Sequence, residues 1–351
     1  MSQATSNFAQ LKHIVLIGGG DLMLASAQIF RQLNYQVSII AALRHLDEPL
    51  VLSATTLAKF CQQNSIALHS TADINQLTAQ ELNHIIPAQA MAICFGPAWV
   101  FQKHIIEQFN FGMFNINAIP IPHYLGGAHY TWQLLNNNKE GGCFFQQITT
   151  ELDQGDILAQ HNFTISDNAV TPDDYFQENV AQGKVFIASL AQKFKQGEPL
   201  QHTPYQTLNS HRLYLPRLRT DKQGFINWQW QAKDIVSFIQ GFSAPYIGAA
   251  TFIDGQKVRL KAVKLITLYS KTGQLIAPMH PFAQGLIIRK TATSIVVAAT
   301  DGFIELISIE NEQGNCVKNQ LKEGMRLHTP QAELEQALSY QVVIDGTGFK
   351  D

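Results

Sequence analysis

The stretch His13-Ile14-Val15-Leu16-Ile17-Gly18-Gly19-Gly20 runs from a short apolar segment into three glycines, and residues 22–33 behind it carry apolar side chains at helical spacing. That reads as strand, tight turn and helix. The unit recurs: residues 36–40 read as strand and 53–64 as helix, then 66–69 as strand and 78–85 as helix. Strands alternating with helices imply a parallel sheet covered on both faces, a Rossmann-like α/β architecture. Residues 90–95 and 113–116 lack in-out alternation and read as central strands. The glycine run does not complete the dinucleotide pattern G-x-G-x-x-G, because Met23 stands where the third glycine belongs, and no Walker-type lysine follows. A turn that closes the first unit is the expectation there.

Further along, Thr171-Pro172-Asp173-Asp174 is a helix start. Thr caps free amides, Pro fits the first helical position, and the acids face the positive end of the dipole. That helix is expected to reach residue 195 and stop at Gly197 and Pro199. Residues 201–222 are polar, contain proline and show no period, which reads as a linker folded onto the first domain. From residue 225 the pattern changes to one helix, 232–242, and short β segments at 249–253, 257–265, 285–289, 294–299 and 303–310. Several short strands in so little chain predict a small β-rich barrel or half-barrel. The expected division is 1–200, a linker 201–224, a β-rich domain 225–330 and a tail 331–351.

Composition agrees. The 351 residues suggest two domains at about 150 residues each. With 46% apolar and 15% charged residues, the chain can build a sizeable core and is not a disordered one. A formal net charge of −2 gives no global attraction to a polyanion, so nucleic acid is a disfavoured partner. Cys61, Cys94, Cys143 and Cys316 form no metal-ligand spacing and read as buried thiols; no metal is expected. Residues 1–12 carry no secretory pattern, and no stretch approaches the roughly 18 apolar residues of a membrane span. No membrane partner is expected, and the location is taken as cytoplasmic.

Two segments carry chemistry. In residues 114–132, Asn115 and Asn117 lie two apart at a strand end and project to the same side. Both amides would enter the crevice beyond the carboxyl ends of a parallel sheet, where open α/β folds bind ligands. A proline-rich loop follows with His123, Tyr124, His129 and the pair Gly126-Gly127, which lets a ligand approach the backbone closely. The second segment is Glu151-Leu152-Asp153-Gln154-Gly155-Asp156, between two strand-like runs; alone it reads as a hairpin with acids on a solvated tip.

Together these segments resemble the 10-formyltetrahydrofolate-dependent formyltransferases, whose Asn-x-His, Pro- and Gly-containing stretch and Leu/Ile-Asp-x-Gly segment match Asn115-Ile116-Asn117 to Gly126 and Leu152-Asp153-Gln154-Gly155. Phe95-Gly96-Pro97-Ala98-Trp99 is similar to the family's loop whose backbone grips the pterin. Residues 224–228 and 235–249 are similar to the start of the C-terminal domain in methionyl-tRNA formyltransferases and their sugar-modifying relatives. The resemblance implies a catalytic formyltransferase domain to residue 200, with 10-formyltetrahydrofolate as co-substrate held by Phe95 to Trp99, Glu151 and Leu152.

Formyl transfer to an amine passes through a tetrahedral species whose oxygen gains charge, so it needs a donor for that oxygen and a base for the amine proton. The resemblance assigns Asn115 to the first role and Asp153 to the second. The family's His belongs at position 117, where this chain has Asn117, a donor that cannot titrate near neutral pH. Position 146, a second His in many sugar-type members, is Gln146. Enzymes that formylate tRNA carry a basic insertion after the second strand; here residues 41–49 hold one Arg followed by acids. A small amine, a nucleotide-linked amino sugar, is therefore the expected acceptor, with Arg217 able to pair its diphosphate. tRNA formylation, and a binding protein that has lost turnover, are the alternatives. A homodimer is one assembly left open.

Overall fold

The computed structural model describes residues 8–48, 50–120, 122–151, 153–345 and 348–350. They form two compact units. The first takes its residues from the chain up to Leu125, from Glu140–Thr164 and from Gln177–Leu213; the second takes Gly126–Lys139, Ile165–Phe176 and the chain from Tyr214 onward.

The first unit is built on strands β1 (His13–Gly18), β2 (Gln36–Ala42), β3 (Ala67–Thr71), β4 (Ala90–Phe95), β5 (Met113–Asn117), β6 (Glu140–Gln147) and β7 (Ile157–Thr164), in the spatial order β3-β2-β1-β4-β5-β6-β7. The first five pair in parallel, and β6 and β7 add an antiparallel edge. Strand order reverses between β1 and β4, the topological switch point where such sheets open a crevice. Strand β1 shows why it is continuously apolar. Ile14 and Leu16 face one layer with Leu24 and Phe30, while Val15 and Ile17 face the other with Leu82 and Ile105. All four β1 side chains are fully buried, each contributing roughly 1.5–3 kcal/mol.

Helix α1 (Asp21–Gln32) starts directly after the glycines. Its buried Asp21 accepts hydrogen bonds from the Ser53 amide at 2.9 Å and hydroxyl at 2.7 Å. Ser53 is therefore engaged elsewhere, and α2 (Leu57–Asn64) begins later than its periodicity suggests, capped by Thr56. Helix α3 (Ala79–Ile85) opens with a Thr78–Glu81 capping box. Helix α4 (Pro172–Gln196) begins as its sequence implies: Thr171 and Asp174 cap each other, and Gly197 follows at φ 68°.

Gly18 sits where β1 and β4 approach closely. At φ 122°, a Cβ there would lie 2.1 Å from the Phe95 carbonyl oxygen. Gly18→Ala is expected to cost about 2–4 kcal/mol, combining strain and overpacking, and to lower the urea midpoint accordingly.

The second unit holds α5 (Ala232–Gly241) and an antiparallel sheet of β8 (Ala249–Ile253), β9 (Gln256–Ile266), β10 (Ile287–Lys290), β11 (Ile295–Ala298) and β12 (Phe303–Asn311), in the order β8-β9-β12-β11-β10. Residues 324–328 close it. Phe252 and His328 exchange backbone hydrogen bonds at one edge, while Ile287 N donates to Met325 O and Leu327 N to Gly285 O at the other. The β-rich expectation is thus met by a small closed barrel, packed on Ile235 and Ile239 of α5.

One expectation is corrected: Cys316 is exposed, whereas Cys61, Cys94 and Cys143 are buried. Within the stretch 201–222, Thr203 bridges Ile157 and Tyr205–His211 is a 3-10 helix. Residues 331–339 form a helix. No helix among the described residues is long and apolar enough to cross a membrane, and these residues contain no metal-binding cluster.

Candidate functional site

The carboxyl ends of β4 and β5 bring the chemistry-bearing residues of the first unit together. Cys94 pairs in register with Asn115, and across the antiparallel step Asn115 faces Gln146 and Asn117 faces Phe144. Side chains paired this way stand on one face of the sheet. The Oδ1 of Asn115 is buried without a hydrogen-bond partner. An unmet acceptor in a protein interior costs about 1–3 kcal/mol, so it marks a place where a ligand is expected to complete the bonding. Asn117 is half-buried, and its side chain has no hydrogen bond to another described residue.

Gln146, only 2% exposed, shapes the second motif. Its Nε2 donates to the carbonyls of Asp153 at 3.1 Å and Gly155 at 2.9 Å. Gly155 allows the turn to press on β6, since a Cβ there would lie 1.8 Å from the Gln147 carbonyl oxygen. Asp156 meets His202 at 2.8 Å and accepts from the Tyr205 amide at 3.0 Å. The acids of the motif thus divide: Asp156 is structural, and Asp153 stands out on the turn at φ 55°. Although Asp153 is exposed as a residue, desolvation raises its carboxyl pKa, and the Arg212 charge works against the rise. Burial likewise raises the Tyr205 pKa; Arg212 counters this and Asp153 adds to it. Arg212 and Tyr205 therefore belong to the surroundings of Asp153. Sequence reading missed both, because a lone Arg and Tyr in an aperiodic polar stretch carry no signal.

The loop after β4 is pinned from outside. Trp99 Nε1 donates to Ala72 O at 2.9 Å, and Asn75 holds both Val100 O and Gln102 N. Phe95 O accepts from Gly19 N at 3.1 Å, and Gly96 sits at φ 53°. The amides of Gly96, Ala98 and Trp99 donate to no other described residue. A fixed backbone with open donors suits a ligand rich in hydrogen-bond acceptors. Glu151 is exposed and its backbone bonds Thr149, while Leu152 lies outside the described residues. Tyr124 is buried at φ 59°, and His123 lies 3.9 Å from the Glu140 carboxylate.

The remaining predicted residues lie in the second unit. A Cβ on Gly126 would meet Leu215 O at 2.1 Å, and one on Gly127 the Arg217 Cβ at 2.7 Å. The close approach expected for a ligand is used by the chain's own residues 214–217, which Gly127 N bonds at Leu215 O and Trp132 Nε1 at Pro216 O. His129 opens a short helix, His129–Leu135, stacked edge-on against Tyr130. Desolvation, and then the Arg217 charge, lower its pKa from 6.5 to about 4. Because the folded value lies below the unfolded one, this group's contribution to stability is full above pH 6.5 and is lost as pH falls towards 4. An NMR titration is expected to find the His129 ring neutral at pH 5.5.

The N-terminal residues 11–190 match the family model described as formyl transferase, and residues 219–321 match formyl transferase, C-terminal domain. Methionyl-tRNA formyltransferase of Geobacter metallireducens is 27% identical over 203 residues, which is 56% of this chain and 61% of that protein; the match thus spans about three fifths of the relative's length. Among solved structures, the N-formyltransferase from Helicobacter canadensis, in complex with folinic acid and dTDP-3-aminofucose, is similar at a TM-score of 0.60 and 17% identity, covering 85% of this chain and 99% of that one. WlaRD, a sugar 3N-formyl transferase solved with dTDP and 5-N-formyl-THF, gives 0.59 and 18%, covering 85% and 97%. At these identities the structural likeness speaks for the fold. With both family models matched in chain order, the chain belongs to the formyltransferase family.

Proposed function

We propose that the protein transfers a formyl group from 10-formyltetrahydrofolate to the amine of a small acceptor, a nucleotide-linked amino sugar. The observation that carries this reading is the pairing of Asn115, with its unmet buried amide oxygen, against Gln146, whose side chain holds the Asp153 turn. The folate supplies the formyl group. The open backbone of residues 96–99, with Glu151 and Leu152, receives its pterin. The Asn115 Nδ2 donates to the formyl oxygen as it gains charge, while its unmet Oδ1 accepts an N–H of the incoming amine, and Asn117 supplies a second neutral donor. Asp153, ionised above its raised pKa, takes the proton as the amine nitrogen bonds the formyl carbon, and returns it, directly or through water, to N10 as the formyl carbon–N10 bond breaks and tetrahydrofolate leaves. A base with a raised pKa suits this task, because it holds the proton better than an ordinary carboxylate. His123 and Tyr124, in the loop after Asn117, are proposed as acceptor contacts.

The low net charge and the single Arg44 in the loop after β2 support a small acceptor over tRNA. The methionyl-tRNA formyltransferase relatives favour the second reading, transfer to initiator tRNA. The two separate in a competition assay with the full chain, 10-formyltetrahydrofolate, dTDP-3-aminofucose and charged initiator tRNA, followed by tetrahydrofolate release. Release driven by the sugar and unaffected by tRNA at low salt is expected. Release driven only by tRNA, falling steeply as salt rises, contradicts the proposal.

A further inference from the structure

Gln146 is an uncharged side chain at the centre of the site with no chemistry of its own to offer, yet it is almost wholly buried. Both of its partners are carbonyl oxygens, so the NH2 end of the amide must face them, and the two N–H groups are just enough to serve both. One carbonyl belongs to Asp153 itself. The other belongs to Gly155, which is already locked against β6 by its contact with the Gln147 backbone. Asp156, anchored by His202 and the Tyr205 amide, fixes the far end of the turn. The turn is thus held firmly at Gly155 and Asp156, while Asp153, in the left-handed region that non-glycine residues avoid, depends on the Gln146 amide. Because Gln146 pairs with Asn115 across β5 and β6, the same strand pair sets the positions of both proposed reacting residues.

We infer that Gln146 is a positioning residue for formyl transfer: its amide, shared between the carbonyls of Asp153 and Gly155, fixes the Asp153 turn relative to Asn115. This rests on the reading of Asp153 as the base. The chemistry of position 146 follows from the donor count. A neutral His has one ring N–H and can hold only one of the two carbonyls; a Glu carboxylate has none and is repelled by both; a Met fills the space without donating.

The test uses the full chain with 10-formyltetrahydrofolate and dTDP-3-aminofucose, together with hydrogen exchange of the amides in residues 149–156. Gln146→Met is expected to lower kcat about 10²-fold, the scale of a 1 Å misplacement, with KM for the sugar little changed. Exchange is expected to speed up in 149–156 and not in β1 or β4, and Gln146→His is expected to restore part of kcat. In an Asp153→Asn background, Gln146→Met is expected to add no further loss, because the two residues act through one another. Fully additive losses, or unchanged exchange in 149–156, overturn the proposal. A wild-type protein that transfers no formyl group contradicts the proposed function instead. The exchange measurement reads the hold of Gln146 on the turn without turnover, and in that case unchanged exchange overturns the proposal by itself.

Discussion

Asn115→Ala is expected to lower kcat for formyl transfer about 10²- to 10³-fold, the usual loss when one donor to a developing oxyanion is removed. The sugar KM is expected to move little, because the interaction strengthens only as the formyl oxygen gains charge. Stability is expected to move the other way. The Asn115 Oδ1 is a buried acceptor without a partner, and removing it relieves a desolvation cost that no hydrogen bond offsets. An unchanged or raised urea midpoint with a collapsed kcat is thus the joint result. A large loss of stability would mean instead that the side chain is structural and that its orphan oxygen has no functional meaning. Asn117 supplies a control. As it cannot titrate, Asn117→His is expected to introduce a new ionisation near pH 6.5 into the kcat profile.

The second large effect belongs to Asp153. Asp153→Asn removes the proton acceptor and is expected to cost about 10²- to 10⁴-fold in kcat, the range of general-base contributions. The pH dependence carries more information. Desolvation raises the Asp153 pKa, so the acid limb of kcat/KM is expected above the ordinary carboxylate range, with activity rising as the base ionises. Arg212 favours the ionised form, so Arg212→Met is expected to move that limb to still higher pH, and Arg212→Lys to restore much of it. In folding the same raised pKa acts in the opposite sense to a salt-bridged acid: its contribution is full below the unfolded pKa and is lost as pH rises through the folded one. A limb that moves down in Arg212→Met, or does not move, would remove Arg212 from the surroundings of the base.

Much of the first unit is legible in the sequence for a physical reason. Strands buried on both faces must be apolar throughout, and Ile14 to Ile17 and residues 90–95 are so; the layer assignments of Val15 and Leu16 then follow from alternation alone. The start of α4 is equally local, since Thr171 and Asp174 need only each other. Contacts between distant segments are not local and left no trace. Nothing in the stretch 201–222 announces that Tyr205 will be drawn in by Asp156, or that Arg212 will act on Asp153. The glycine pair at 126–127 shows the same limit. Its need for space is plain in the sequence, whereas the occupant, residues 214–217, is visible only in the fold. Within the motif the acids look alike, and only the bonds of Asp156 to His202 and the Tyr205 amide separate it from Asp153.

The central claim is that a site built on the neutral pair Asn115 and Asn117 moves a formyl group onto a small nucleotide-linked amine. The most direct measurement is the mass of dTDP-3-aminofucose after incubation with the pure protein and 10-formyltetrahydrofolate. The account predicts a product in which one amine hydrogen is replaced by a formyl group, formed with one tetrahydrofolate per product and about 10²- to 10³-fold more slowly with Asn115→Ala. An unmodified sugar, across this and other nucleotide-linked amino sugars, from a protein that binds the folate would contradict it.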